Sequence, residues 1–221
     1  MANVAFTRDE IILALDAYYQ SNGKNFGIKS ERLSELCSLL QSLPIHSQTK
    51  KNSSFRTPQG VRHQLYAFSS SFKSGEKNQN VGDLFFEVAF EYEDRHDELH
   101  KIALAIKNNI PFFESTFGND NESFDFPEGN LLGHLHRIIE CRDSKGLQIG
   151  DRCSICGLKP EALYLPCGQL LELHLAVNPS DMVGNRQYQQ ENFITVCPNC
   201  HAALHKIRPW ISKGDIQTIL K

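Results

Sequence analysis

Apolar positions recur at helical spacing through the first half of the chain. Ile11, Ile12, Leu15, Tyr18 and Tyr19 follow Thr7-Arg8-Asp9-Glu10. A hydroxyl three residues ahead of a carboxylate is a capping box, so an amphipathic helix is predicted to start here. Ser30 is placed to cap a second helix, with Leu33, Leu36, Leu40 and Leu43 on one face and Pro44 at its end. In Phe55-Arg56-Thr57-Pro58-Gln59-Gly60-Val61, Pro58 and Gly60 mark a turn, and a third helix is predicted from Val61 to Phe68. Residues 83–108, with Phe85, Phe86, Ala89, Phe90, Leu99, Ile102 and Ile106, read as helical throughout. The polar, acidic stretch 114–128 reads as a linker in which Phe117, Phe124 and Phe126 are candidates for packing. A short helix is expected over Leu131–Cys141. Beyond it the period changes: Leu171-Glu172-Leu173-His174 is strand-like, and His201 opens an Ala-Ala-Leu helix. The pattern therefore predicts an α+β protein, with a mainly helical domain over 1–113, a linker over 114–128 and a second domain over 129–221.

Composition sharpens this picture. The chain has 221 residues, 40% of them hydrophobic, enough for one large core or two smaller ones. A net charge of -3 argues weakly against a polyanionic partner, but the charge is unevenly placed. Residues 1–80 carry ten Lys/Arg against six Asp/Glu, residues 81–140 four against thirteen, and residues 141–221 nine against seven. Two mildly basic ends flank an acidic middle. Asp9, Glu10 and Asp16 interrupt any signal-like apolar run at the N-terminus, and no apolar stretch is long enough to cross a bilayer. Three of the seven cysteines, Cys37, Cys141 and Cys167, have no evident partners. That fits a reducing interior and a cytoplasmic location, without a membrane.

The other four cysteines form two Cys-x-x-Cys pairs, Cys153/Cys156 and Cys197/Cys200. Two such pairs about forty residues apart, each in a turn-like context, predict a closed tetrahedral Zn2+ site that holds together a module with little core of its own. Three histidines are left over. His201 and His205 are spaced i, i+4 and share one helical face, while His174 ends the strand-like run. Ligands converging from separate elements can chelate one divalent cation, so His174, His201 and His205 are candidates for a second metal.

Glu172-Leu173-His174, Asn192 and Cys197-x-x-Cys200-His201-x-x-x-His205 resemble the HNH (ββα-metal) nuclease motif in its four-cysteine zinc form. The resemblance implies a strand facing a helix across one catalytic Mg2+ or other divalent ion, with His174 and His201 at that ion, His205 beside them, and Asn192 orienting the strand. Phe126-Pro127-Glu128-Gly129 with His136-Arg137 and Glu140, the first helix from Phe6 to Asp16, and the turn Phe55-Arg56-x-Pro58-x-Gly60-Val61 are similar to segments of McrA-type modified-cytosine restriction endonucleases. This implies a homodimeric endonuclease of restriction type that cleaves double-stranded DNA by metal-dependent phosphodiester hydrolysis. Lys50, Lys51, Arg56, Arg62 and His63, beside the aromatics Tyr18, Tyr19, Phe55 and Tyr66, are the residues expected to face DNA.

The chain departs from that family at one position. Family members follow the strand ligand with a histidine that serves as general base; here Leu175 stands in that place. Leucine can neither accept a proton nor orient water. Either the register shifts and His174 is the base, or His134 or His136 takes over, or the chain is catalytically impaired. Two readings from other classes stay open: a type II enzyme for an unmodified sequence, and a non-catalytic zinc-containing DNA-binding protein.

Overall fold

Thr7 opens the first helix, α1 (Arg8–Gln20), because the Glu10 carboxylate turns back to accept its backbone N–H at 2.8 Å and its hydroxyl at 3.1 Å. A computed structural model of the chain describes residues 4–22, 24, 26–46, 54–74, 82–117, 130–164, 169–208, 210, 211 and 213–220. The architecture is mixed and mainly helical, with one two-stranded sheet. It divides into two units, Met1–Leu131 and Leu132–Lys221.

In the first unit, α1 packs against α2 (Glu31–Ser42), α3 (Pro58–Ser74), α4 (Asp83–Glu91) and α5 (His96–Phe117). The capped helix that its pattern predicts is present, and little of it is left to solvent. Every residue from Asp9 to Asp16 is buried, so α1 is a central rod whose charges find partners inside the unit. Arg8 pairs with Glu91. Asp16 meets His100 at 2.8 Å and Lys107 at 3.5 Å. Glu10 takes the Arg56 guanidinium.

Ser30 caps α2 as expected, its hydroxyl accepting the Leu33 N–H at 3.3 Å. Leu43, the residue before Pro44, is extended and ends the helix. The third helix starts at Pro58 and not at Val61, since a proline loses nothing in the first turn, and it runs to Ser74.

The continuous helix expected over 83–108 is broken. Tyr92 ends α4, and a turn closes with the Arg95 N–H on the Tyr92 carbonyl before α5 begins. The break lets Phe85 and Val88 of α4 and Leu99 and Ile102 of α5 all reach buried positions; a straight helix would carry one set away from α1. Residues 114–117 of the expected linker complete α5. Residues 118–129, with Phe124 and the 126–129 run, lie outside the described residues, as do Lys50, Lys51 and Cys167.

α6 (Leu131–Asp143) leads into the second unit, whose sheet is a short antiparallel pair, β1 (Glu172–Leu175) and β2 (Phe193–Val196). The register sets Glu172 opposite Val196, Leu173 opposite Thr195, His174 opposite Ile194, and Leu175 opposite Phe193. α7 (Pro198–Lys206) follows β2 directly, with Cys197 as its N-cap. The long β1–β2 connection is tied to α6 through Arg142, which donates to the Gly184 carbonyl at 2.7 Å, and through Asp143, which accepts the Tyr188 N–H at 2.9 Å.

One core cluster here joins Ile155, Leu171, Val196, Leu204 and Ile216 to Cys153, Cys197 and Cys200. A core in which thiols stand among so few aliphatic side chains is a poor source of folding energy. Among the described residues no helix is long and apolar enough to cross a membrane.

Candidate metal centre

The four cysteines meet. Cys153, Cys156, Cys197 and Cys200 bring their sulfurs within 4.8 Å of one another, positioned to hold an ion such as zinc. Cys156 Sγ and Cys197 Sγ are 3.8 Å apart, which is the edge of a tetrahedron with metal–sulfur bonds of about 2.3 Å. The first pair sits in a tight turn: the Gly157 N–H bonds the Cys153 carbonyl at 3.0 Å, and Gly157 takes a positive φ of 73° that a side chain would strain. Ser154 ties that turn to β2 through the Thr195 carbonyl at 2.8 Å. The second pair comes from the first turn of α7. Burial pushes the Cys153 thiol up, but backbone N–H groups of Cys156, Cys197 and Ile155 outweigh it and hold the pKa at about 7. Burial and the neighbouring sulfurs push Cys200 up. The fold favours the Cys153 thiolate and disfavours that of Cys200, which a bound cation would offset.

A second cluster lies around one carboxylate, that of Glu140 on α6. Its Oε1 accepts the Leu175 backbone N–H at 2.8 Å and stands 3.1 Å from His174 Nδ1. Its Oε2 stands 3.1 Å from His201 Nε2 and 3.3 Å from His205 Nε2, and those two nitrogens are 3.0 Å apart. His136, one turn before Glu140, completes the group: His136, Glu140, His174 and His205 place their donor atoms within 4.8 Å of each other.

The sequence placed His174, His201 and His205 together, and the structure brings them together. It adds His136 and Glu140, to which spacing alone assigned no ligand role. A signal was present, because His136 and Glu140 repeat on α6 the i, i+4 spacing of His201 and His205 on α7.

The tautomers of this cluster can be read from its edges. His136 Nε2 donates to the Leu175 carbonyl at 2.7 Å, so its Nδ1 carries a lone pair; that atom is buried, has no hydrogen-bond partner, and lies 3.9 Å from Glu140 Oε1. Burial lowers the His136 pKa to about 4, which keeps the ring neutral. Burial also lowers His174, whose Nδ1 likewise has no partner in hydrogen-bond geometry. For His201, burial acts downward, but the Glu140 and Glu172 carboxylates on its two nitrogens raise it. Burial alone would raise Glu140, yet the three imidazoles around it hold its carboxyl well below the usual range. His136 Nδ1 is left as an acceptor turned toward the Glu140 carboxylate, a pairing that a positive charge among these groups would stabilise. Donors bound about 2.1 Å from a shared ion lie about 3.0 to 3.4 Å apart, and the edges measured here fall at 3.0 to 3.3 Å. The donor set fits a divalent cation.

The remaining predicted residues fall elsewhere. Asn192 lies outside the cluster, at the foot of β2, where its carbonyl accepts the Ala176 N–H at 2.8 Å and its side chain accepts the Gln189 N–H at 3.0 Å; it fastens the end of β1 to the turn before β2. Leu175 is fully buried with its side chain on the strand face opposite His174, and its backbone serves both Glu140 and His136. His136, named with His134 as a replacement base, is the one that reaches the cluster; His134, two positions away, does not share its helical face.

In the first unit Arg56 is not a surface cation. It is 6% exposed and spends its donors on Glu10 and on the carbonyls of Val4 and Ala5, with its guanidinium 3.9 Å from the Phe6 ring centre. Its backbone sits at a φ of +48°, which is costly for a residue with a Cβ. Tyr18 and Phe55 are core residues. Arg62 is half-buried, donating to the Phe26 carbonyl and to the Tyr66 hydroxyl, while His63 and Tyr66 are exposed. Comparison with protein-family models, with curated proteins and with solved structures returns no match to the chain.

Proposed function

We propose that this chain is a metal-dependent DNA endonuclease of the HNH type, cutting through the His174/His201/His205 centre. In this reading the cysteine cluster holds structural Zn2+, and the helical unit reads the target, an interrupted helical frame whose α3 edge offers the half-buried Arg62 beside the exposed His63 and Tyr66. Two copies of the chain would divide the two strands of a duplex between them. The observation that carries the reading is that the rings of one strand histidine, His174, and two helix histidines, His201 and His205, lie with their centres 4.8 to 5.3 Å apart in the unit that also holds the four-cysteine cluster. A divalent ion in such a site offsets the charge that develops on a scissile phosphate and its leaving oxygen.

The chain's own residues then have separable tasks. Glu172 holds the His201 ring through Nδ1, leaving Nε2 to face inward. Asn192 fixes the end of β1 on which His174 stands. Leu175 supplies no base, and His136 is the imidazole that keeps a lone pair turned toward the cluster.

The test is a nicking assay on supercoiled plasmid, prepared from hosts with and without cytosine modification, in Mg2+ or Mn2+. The wild-type chain should cut, and His201→Ala should lose at least about 100-fold in rate while keeping its zinc and its circular dichroism. Equal cutting by both proteins would remove His201 from the site. No cutting by either, on either plasmid, would favour a zinc-containing binding protein, and cutting of both plasmids alike would favour an enzyme for an unmodified sequence.

A further inference from the structure

We infer that α6 supplies the fourth ligand of this centre: the Glu140 carboxylate joins His174, His201 and His205 in a three-imidazole, one-carboxylate site that takes a transition-metal dication in preference to Mg2+. The inference rests on the metal centre proposed above and not on what that centre cuts.

The argument is one of edges and of donor chemistry. Glu140 sits among the imidazoles and not beside them, since its two oxygens are 3.1 Å from His174, 3.1 Å from His201 and 3.3 Å from His205. A carboxylate that served only to orient a ligating histidine would bond the nitrogen facing away from the ion. Glu172 does this for His201, at Nδ1. Glu140 instead meets the same ring at Nε2, the inward nitrogen that also lies 3.0 Å from His205 Nε2. The two carboxylates thus grip opposite ends of one imidazole, and the inner one occupies a ligand position.

Its placement is built. The Leu175 N–H fixes Oε1, and His136, one turn away on the same face, is fixed in turn by the Leu175 carbonyl. Both backbone groups of the residue that replaces the expected base therefore serve to anchor α6 against the cluster. Mg2+ asks for an octahedral shell of oxygens and retains water, whereas a nitrogen-rich set with a single carboxylate suits Zn2+, Co2+, Mn2+ or Fe2+.

The experiment titrates the full-length, zinc-loaded chain with Co2+ and reads its visible absorption. Wild type should take one further equivalent with the weak bands of nitrogen and oxygen ligation, unmoved by millimolar Mg2+ and displaced by added Zn2+. Glu140→Gln keeps the side-chain oxygen that Leu175 needs and should bind that equivalent at least about 100-fold more weakly, with cysteine-bound zinc unchanged. Unchanged Co2+ affinity in Glu140→Gln would overturn the inference, as would a wild-type chain that takes no second ion or yields it to Mg2+.

If the variant does not fold, a crystal structure of the Co2+-loaded wild type decides. A Glu140 oxygen within about 2.2 Å of the ion supports the assignment, and a carboxylate that contacts only histidines overturns it. Neither readout involves DNA, so a chain with this centre that cuts no plasmid would refute the nuclease reading alone.

Discussion

Two buried glutamates divide this molecule. Glu10, in the helical unit, is fully covered and meets Arg56, a permanent cation held by two carbonyls and an aromatic ring besides. Glu140, in the second unit, meets three imidazoles and the Leu175 backbone N–H, and His136 beside it keeps a buried lone pair without a partner. The first carboxylate is neutralised by the fold itself, with a partner that cannot lose its charge. The second is surrounded by groups that are cationic only by taking up a proton, and whose lone pairs suit a metal equally well. Glu10 has an imidazole too, that of His46, but only Glu140 has no permanent cation beside it among the described residues, which makes it the candidate site for a bound one. The contrast can be broken at either end.

The largest effect is expected from the four-cysteine clamp. Cys197→Ser removes one of the four sulfurs of the cluster while leaving a residue that can still cap α7. Metal binding at four-ligand zinc sites is worth on the order of 10 kcal/mol of folding free energy, more than the few aliphatic side chains packed around the cysteines can replace. The second unit should lose its cooperative melting and its zinc together, and a strong chelator should do the same to the wild type. The helical unit holds none of these ligands and should melt as before. Differential scanning calorimetry with a zinc assay reads both; a single transition lost as a whole would show that the two units are not independent.

Next comes the architectural acid. Arg56→Ala leaves Glu10 buried without its main partner, a loss of about 3–5 kcal/mol. Urea denaturation should show it in the helical unit alone, with Co2+ uptake at Glu140 unaltered. A change below about 1 kcal/mol would mean that Arg56 can be spared, and that the two acids are less different than their partners suggest.

The same contrast explains what could be read from the sequence. Periodicity and capping chemistry act locally, so α1, α2, α6, β1 and α7 were readable from their own residues, and Cys-x-x-Cys spacing placed the clamp. The i, i+4 histidines of α7 were legible as a pair because both come from one turn of helix. What stayed hidden depends on partners distant in sequence. That Arg56 serves Glu10, and not a ligand, is decided across 46 residues. That Glu140 reaches His201 is decided across 61. The turn that splits residues 83–108 escaped periodicity because Tyr92, apolar and in phase, is buried as a cap and not as part of a continuing face. Leu175 looked like a defect in a catalytic pair; in three dimensions its main chain anchors both Glu140 and His136 of α6.

The smallest effect is a slope, and it isolates α1, where Asp9 and Glu10 are adjacent and shift in opposite directions. Burial raises the Asp9 pKa from 3.8 to about 8. Burial pushes Glu10 upward too, but His46 and Arg56 outweigh it and hold Glu10 below 4.5. A raised carboxyl favours the fold when protonated, so the Asp9 contribution is complete below pH 3.8 and is lost as pH climbs through about 8. A lowered carboxyl favours the fold when ionised, so the Glu10 contribution is complete above pH 4.5 and is lost as pH falls through its folded value. Between pH 8 and 4.5, then, acidification should stabilise the helical unit, by at most about 1.4 kcal/mol per pH unit for the one group; below that range the Glu10 loss opposes it. Urea midpoints should peak on the acid side of neutrality. Asp9→Asn should flatten the neutral limb and leave the acid limb, and Glu10→Gln should do the reverse. A peak at neutral pH in the wild type, or the same limb flattened by both variants, would show that the two neighbours titrate as one group and that Arg56 does not set Glu10 apart.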